Sequence, residues 1–151
     1  MEERALLGGI SGIMASMVCA LYEVIVEHLG VTDRGFLDFN TVLIAHKVYA
    51  GALGFTISLF AQAAVGVIFG TIFSYTLIFV SSKYYLLKGL GYGFILWLLL
   101  SGFGTIFKLP LFEDMPPMVS LVNLGDSLLY GFINAYFFIT LGRHNTKKSG
   151  Y

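Results

Sequence analysis

Apolar and polar positions divide this chain into four long apolar runs joined by polar connections. The plainest run extends from Gly54 to Val80, with no charged residue and only Gln62 and scattered Ser, Thr and Tyr as polar relief. As a helix it would reach about 40 Å, more than the ~30 Å hydrocarbon core of a bilayer. A helix buried in a water-soluble domain rarely needs such length. The pattern predicts membrane spans at about Ala5–Val26, Gly51–Val80, Leu90–Phe107 and Leu121–Leu141. The expected fold class is therefore all-α, a single four-span integral membrane bundle over residues 1–151.

The connections carry their own signals. Glu27 to Lys47 reads as a polar link, with Asn40 placed to cap a short interfacial helix over Thr41–Lys47. The overlong second span is expected to tilt or break near Gly51 and Gly54. Ser81 to Gly89 reads as a tight turn. Lys108 and Pro110 close the third span, since proline cannot continue the backbone ladder. Ser120 reads as the cap of the fourth, and the tail from Arg143 as polar and frayed.

Composition agrees with lipid as the solvent. The chain is 57% apolar, 16% aromatic and only 12% charged, which could not cover a water-facing surface. A formal charge of zero argues against nucleic acid as a partner. The single Cys19 leaves no internal disulfide and no cysteine-based zinc site. Val18-Cys19-Ala20 resembles a signal-peptide cleavage site, but Met1-Glu2-Glu3-Arg4 is acidic where a signal peptide is basic, so the first run reads as an uncleaved span. Four spans put both termini on one side. Arg4, Lys83, Lys88, Arg143, Lys147 and Lys148 fall on that side, against Arg34, Lys47 and Lys108 opposite, which places both ends in the cytoplasm of a cell whose inner membrane the protein crosses.

Small residues recur every four positions: Gly8, Gly12, Ser16 and Ala20 in the first span, Gly54, Ser58, Gln62, Gly66, Gly70 and Ser74 in the second, Ser127, Gly131 and Ala135 in the fourth. Lipid gives helices no hydrophobic reason to associate, so close backbone approach through such stripes does the work. They would hold the bundle together; alternatively Gly66 and Gly70 would face a second copy or a membrane partner protein.

Three ionisable groups fall near the outer ends of spans: Glu23 in the first, Lys108 after the third, and Asp126 about one turn inside the fourth. Glu23 continues the Gly8–Ser16 stripe and should face protein. Asp126 shares a face with Asn123, Ser127, Tyr130 and Asn134. A carboxylate facing lipid is costly, so such groups seek partners or cavities. Lys108 is the nearest basic candidate and Lys47 the next. Glu23, Lys108, Asp126, Tyr130 and Asn134 would then make either a structural ion pair or an outward-facing pocket for an ion or small ligand. Glu23, Glu27, His28 and His46 do not share one helix face, so no metal site is expected. Neither a nucleophile with its base nor a cofactor motif is visible, and Gly89-Leu90-Gly91-Tyr92-Gly93 reads as helix packing, not a phosphate loop.

Several strings resemble a family of small, uncharacterised four-pass membrane proteins of clostridia and related Gram-positive bacteria: Phe36-Leu37-Asp38-Phe39, Ser82-Lys83-Tyr84-Tyr85-Leu86-Leu87-Lys88-Gly89, Phe107-Lys108-Leu109-Pro110 and Ser127-Leu128-Leu129-Tyr130-Gly131. The resemblance implies the four-span layout and carries no chemistry. The function expected first is a non-enzymatic bundle packing with itself or a partner, with a small transporter or channel subunit as the alternative. A continuous polar cavity reaching Gln62 and Asn134 would favour transport; a sealed bundle with an exposed glycine face would favour assembly.

Overall fold

The computed structural model describes residues 2–32, 34, 36–45, 47, 51–78, 84–112 and 114–148. Asp33, Gly35, His46, residues 79–83, Glu113 and the last three residues lie outside them. The chain is all-helical: α1 (Glu2–His28), α2 (Phe36–Ala45), α3 (Gly51–Thr76), α4 (Tyr85–Ile106) and α5 (Pro117–Lys148). Every helix but α2 is long and apolar enough to cross a membrane. Helices are what lipid demands, because each satisfies its backbone N–H and C=O groups internally. Large apolar side chains such as Leu53, Phe60, Leu87 and Ile106 stand on the outer surface, as a lipid solvent allows.

Several boundaries differ from those the sequence predicts. α2 begins at Phe36, so Asn40 lies inside it and not at its N-cap position. α3 runs unbroken from Gly51, which itself takes φ 79. α4 begins at Tyr85, taking in much of the expected inner turn. α5 starts at Pro117, where a missing N–H costs nothing. Ser120 is thus one turn inside, its N–H donating to Pro116 O at 3.1 Å. At its other end α5 continues through Lys148, into the region expected to be a frayed tail.

The ends of α1 and α4 close in the same way. After α1, the N–H groups of Gly30 and Val31 donate to Glu27 O and Val26 O at 2.9 and 3.2 Å. After α4, Lys108 and Leu109 donate to Thr105 O and Gly104 O at 3.2 and 2.9 Å. These are Schellman closures, which require a left-handed residue just past the helix. Gly30 fills that position at φ 70, and Lys108, unusually for a residue with a Cβ, fills it at φ 48.

Two antiparallel helix pairs make the bundle. In one, α1 meets α3 backbone to backbone: a Cβ on Gly12 would run into Gly66 O, and one on Gly8 would come within 2.6 Å of Gly70 O. In the other, α4 meets α5: a Cβ on Gly89 or Gly93 would strike Gly131 O or Ser127 O. Gly66 and Gly70, offered above as a face for a second subunit, are instead spent inside the chain against α1. Gly131 likewise packs within the chain, on Gly89 and Gly93. The pairs join mainly through α1 against α5, and Tyr92 ties α4 to α3 by donating to Phe69 O at 2.7 Å. This order puts both termini at one end, and α2 and the α4–α5 loop at the other. There an apolar cap forms from Phe39, Val42, Leu109, Phe112 and Val119, with the Phe39 and Phe112 rings edge to face at 4.7 Å.

Candidate functional site

The seam between α1 and α5 collects the buried polar groups. Ser11 donates to Asn134 Oδ1 at 2.7 Å; Cys19 Sγ lies 3.6 Å from Asp126 O and also against the Asp126 carboxyl. Tyr130 crosses to α3 and donates to Gly66 O at 2.9 Å, a carbonyl within reach because no side chain stands in front of it. Glu23, Asp126, Tyr130 and Asn134 are all buried. Four of the five candidate residues therefore share one interior seam.

Lys108 is the exception. It is exposed, in the left-handed position that closes α4, and pairs with neither carboxyl. Its place is set by the helix ending, not by electrostatic attraction. Lys47 is exposed as well. The structural ion pair expected from sequence does not form among the described residues.

What holds Glu23 is the backbone of α2. The Leu37 N–H donates to Glu23 Oε2 at 2.6 Å. A carboxylate from α1 thus does for α2 what an N-capping side chain of its own would have done, satisfying an orphan donor where the helix dipole favours negative charge. Thr41 Oγ1 and Ser58 Oγ, 2.6 Å apart, tie α2 to α3. Glu23 Oε1 and Asp126 Oδ1 remain buried with no hydrogen-bond partner among the described residues. The electrostatic neighbours of Glu23 are Asp126, Asp38 and Glu27, all acidic. Asp126 is also deeper than its expected position. Because α5 starts at Pro117, the residue lies about 14 Å along the helix from its outer end.

Two cavities reach this carboxyl pair. The outer one, 230 Å³ in volume, opens between α1, α2 and α3 and is lined by Glu23, Glu27, Leu37, Asp38, Gly51, Phe55 and Ser58. A smaller one of 30 Å³ lies where all four long helices meet, with Ser16, Gln62, Gly66, Asp126, Ser127 and Tyr130 in its wall. Gln62 thus lies on the inner cavity, while Asn134 bonds to Ser11 farther toward the termini, its Nδ2 without a partner. The two cavities share no wall residue. Glu23 belongs to one and Asp126 to the other.

Comparison with known proteins adds nothing to this geometry: no family model, curated protein or solved structure matches the chain. Among the described residues no group of three or more His, Cys, Asp or Glu gathers as a metal would need. The parts of the site invisible to sequence reasoning are those made by the fold. Leu37 contributes through its backbone N–H, and Ser16 and Ser58, which read only as small packing residues, turn out to line the cavities. The four-residue spacing of Ser16, Gln62 and Gly66 was the available signal; which stripe faces which was not.

Proposed function

We propose that the protein is a small transporter or channel-type subunit of the cytoplasmic membrane, with both termini in the cytoplasm and an entrance for cations at the outer end. The observation that carries this reading is the pair of buried carboxyls, Glu23 and Asp126, each with an unpartnered oxygen and each on the wall of a different cavity. Buried ionisable groups in a membrane bundle are expensive and mark ion pathways. The outer cavity has Glu23, Glu27 and Asp38 around it and, among the described residues, no basic side chain in its wall, so its field favours cations. The glycine stripe that would have supported assembly is used within the chain, which supports transport over self-association. The role is a non-enzymatic one, with lipid as the surrounding partner.

Two measurements test this reading. A fluorescent protein fused after Tyr151 should be active and an exported phosphatase there inactive; the reverse would invert the layout and make the entrance cytoplasmic. For the entrance itself, Ser58→Cys in intact cells should react with a membrane-impermeant cationic methanethiosulfonate at least tenfold faster than with its anionic counterpart. The wild-type chain, whose Cys19 is buried, serves as the blank. Equal rates with the two reagents, or faster reaction with the anion, would contradict a cation entrance.

A further inference from the structure

We propose that the ligand of the Glu23–Asp126 pair is the proton: Glu23 exchanges it with water in the outer cavity, and Asp126 carries it to the small cavity at the centre of the bundle. This rests on the reading of the outer cavity as a cation entrance and names the cation that goes further.

Size is the first reason. At roughly 10–15 Å³ of such volume per water molecule, the inner cavity of 30 Å³ holds about two. An organic cation that fits the outer cavity of 230 Å³ stops at Glu23. The second reason is ligand number. Calcium takes six to eight oxygen ligands and magnesium six, whereas the unpartnered buried oxygens among the described residues are Glu23 Oε1, Asp126 Oδ1 and Asn123 Oδ1. Third, the charges around the pair leave a proton as the simplest neutralising partner. From α1 come Cys19, Tyr22 and Glu27, from α2 Asp38, and from α5 the phenol Tyr130 on the inner cavity wall, where α4 brings only Leu96 and Leu100. α3 offers only neutral groups, Ser58 and Gln62. No basic side chain among the described residues faces either carboxyl.

The transfer is a simple one. A hydronium in the outer cavity gives a proton to Glu23 Oε1 and is left as water; that O–H bond then breaks as one forms on Asp126, directly or through one water. The proton leaves Asp126 to water in the inner cavity, and each carboxyl ends as it began. Leu37 N–H stays on Glu23 Oε2 throughout, which leaves Oε1 as the exchanging oxygen.

Infrared difference spectra of the purified full-length protein in lipid test this, with pH stepped at fixed salt. A C=O stretching band of protonated carboxyl should come and go reversibly. It should shift in Glu23→Gln and in Asp126→Asn, since each removes one of two coupled groups, and vanish in the double variant. Sodium or calcium chloride added at fixed pH should leave it unchanged. A band identical in wild type and the folded single variants, or no titrating band at all, overturns the inference. So does displacement of the band by sodium or calcium at constant pH, which would make a metal cation the ligand. Thiol labelling at Ser58→Cys separates the two readings. Fast cationic labelling without a titrating band ends the proton path and leaves the entrance; failure of both ends both.

Discussion

Gly12→Leu should all but abolish folded protein. A Cβ at this position would overlap Gly66 O and come within 2.9 Å of Gly70 Cα, and both are backbone atoms that cannot rotate aside. The α1–α3 pair would have to separate along its length, taking with it the carbonyl that Tyr130 bonds. Ordinary overpacking costs roughly 1–3 kcal/mol because side chains yield; here the loss should be well above that range. The internal controls are Gly91→Leu and Gly102→Leu, where a new Cβ meets nothing within 4 Å. Thermal unfolding in mild detergent should show both controls near wild type and Gly12→Leu aggregated or unfolded. Gly66→Leu should behave like Gly12→Leu, losing folded chain without yielding a smaller, well-folded species. A soluble, helical Gly66→Leu monomer derived from a wild-type dimer would show that the stripe serves subunit contact after all.

The second large effect is one of sign. If Asp126 were half of a buried ion pair with Lys108, Asp126→Asn would cost about 3–5 kcal/mol, and Lys108→Met would restore part of it. In the structure Lys108 is exposed, and among the described residues the Asp126 carboxyl has Cys19 as its hydrogen-bonding contact. Asp126→Asn should then cost no more than about 1 kcal/mol, the scale of a single hydrogen bond, and can raise stability. Lys108→Met should be silent, and the coupling energy from the double-mutant cycle should be near zero. A rescue of Asp126→Asn by Lys108→Met of 1 kcal/mol or more would restore the ion pair and remove the reason for treating the carboxyls as a site. The comparison needs only a melting curve for each variant.

These two outcomes bear on different parts of the molecule. The first concerns the backbone contacts between helices, the second the buried carboxyls on the cavity walls. Their independence follows from the architecture, in which α1–α3 and α4–α5 are drawn together by backbone contact while the α1–α5 seam between them holds the polar side chains. An α1 with its small stripe toward α3 can therefore turn Cys19 and Glu23 toward α5 and α2. The apolar cap of Phe39, Val42, Leu109, Phe112 and Val119 covers the α2 end of the bundle, and the cavity beside Glu23 opens at the side, between α1, α2 and α3.

The four spans were legible in the sequence because lipid imposes a length and a composition that no other environment requires, and uncharged runs near 30 Å satisfy both. The small-residue stripes were legible for a similar reason: a four-residue repeat is the period of a helix face. Burial of Glu23 followed from its place on the same helix face, seven positions after Ser16. What sequence could not supply was the pairing of faces. Gly66 and Gly70 would look the same whether they met α1 or another subunit, since the need is only for a backbone without a side chain in the way. The helix ends were equally ambiguous. Pro117, not Ser120, opens α5, and those three residues set Asp126 nearly a turn deeper than its expected position. Lys108 seemed a partner by its depth alone, until the left-handed turn after α4 fixed its exposed position. Glu23 found its hydrogen bond in the backbone of a helix fourteen residues away, an acceptor–donor match that exists only once α2 has folded over the end of α1. Local periodicity determined the elements; the site arose where two such elements from distant parts of the chain were brought together.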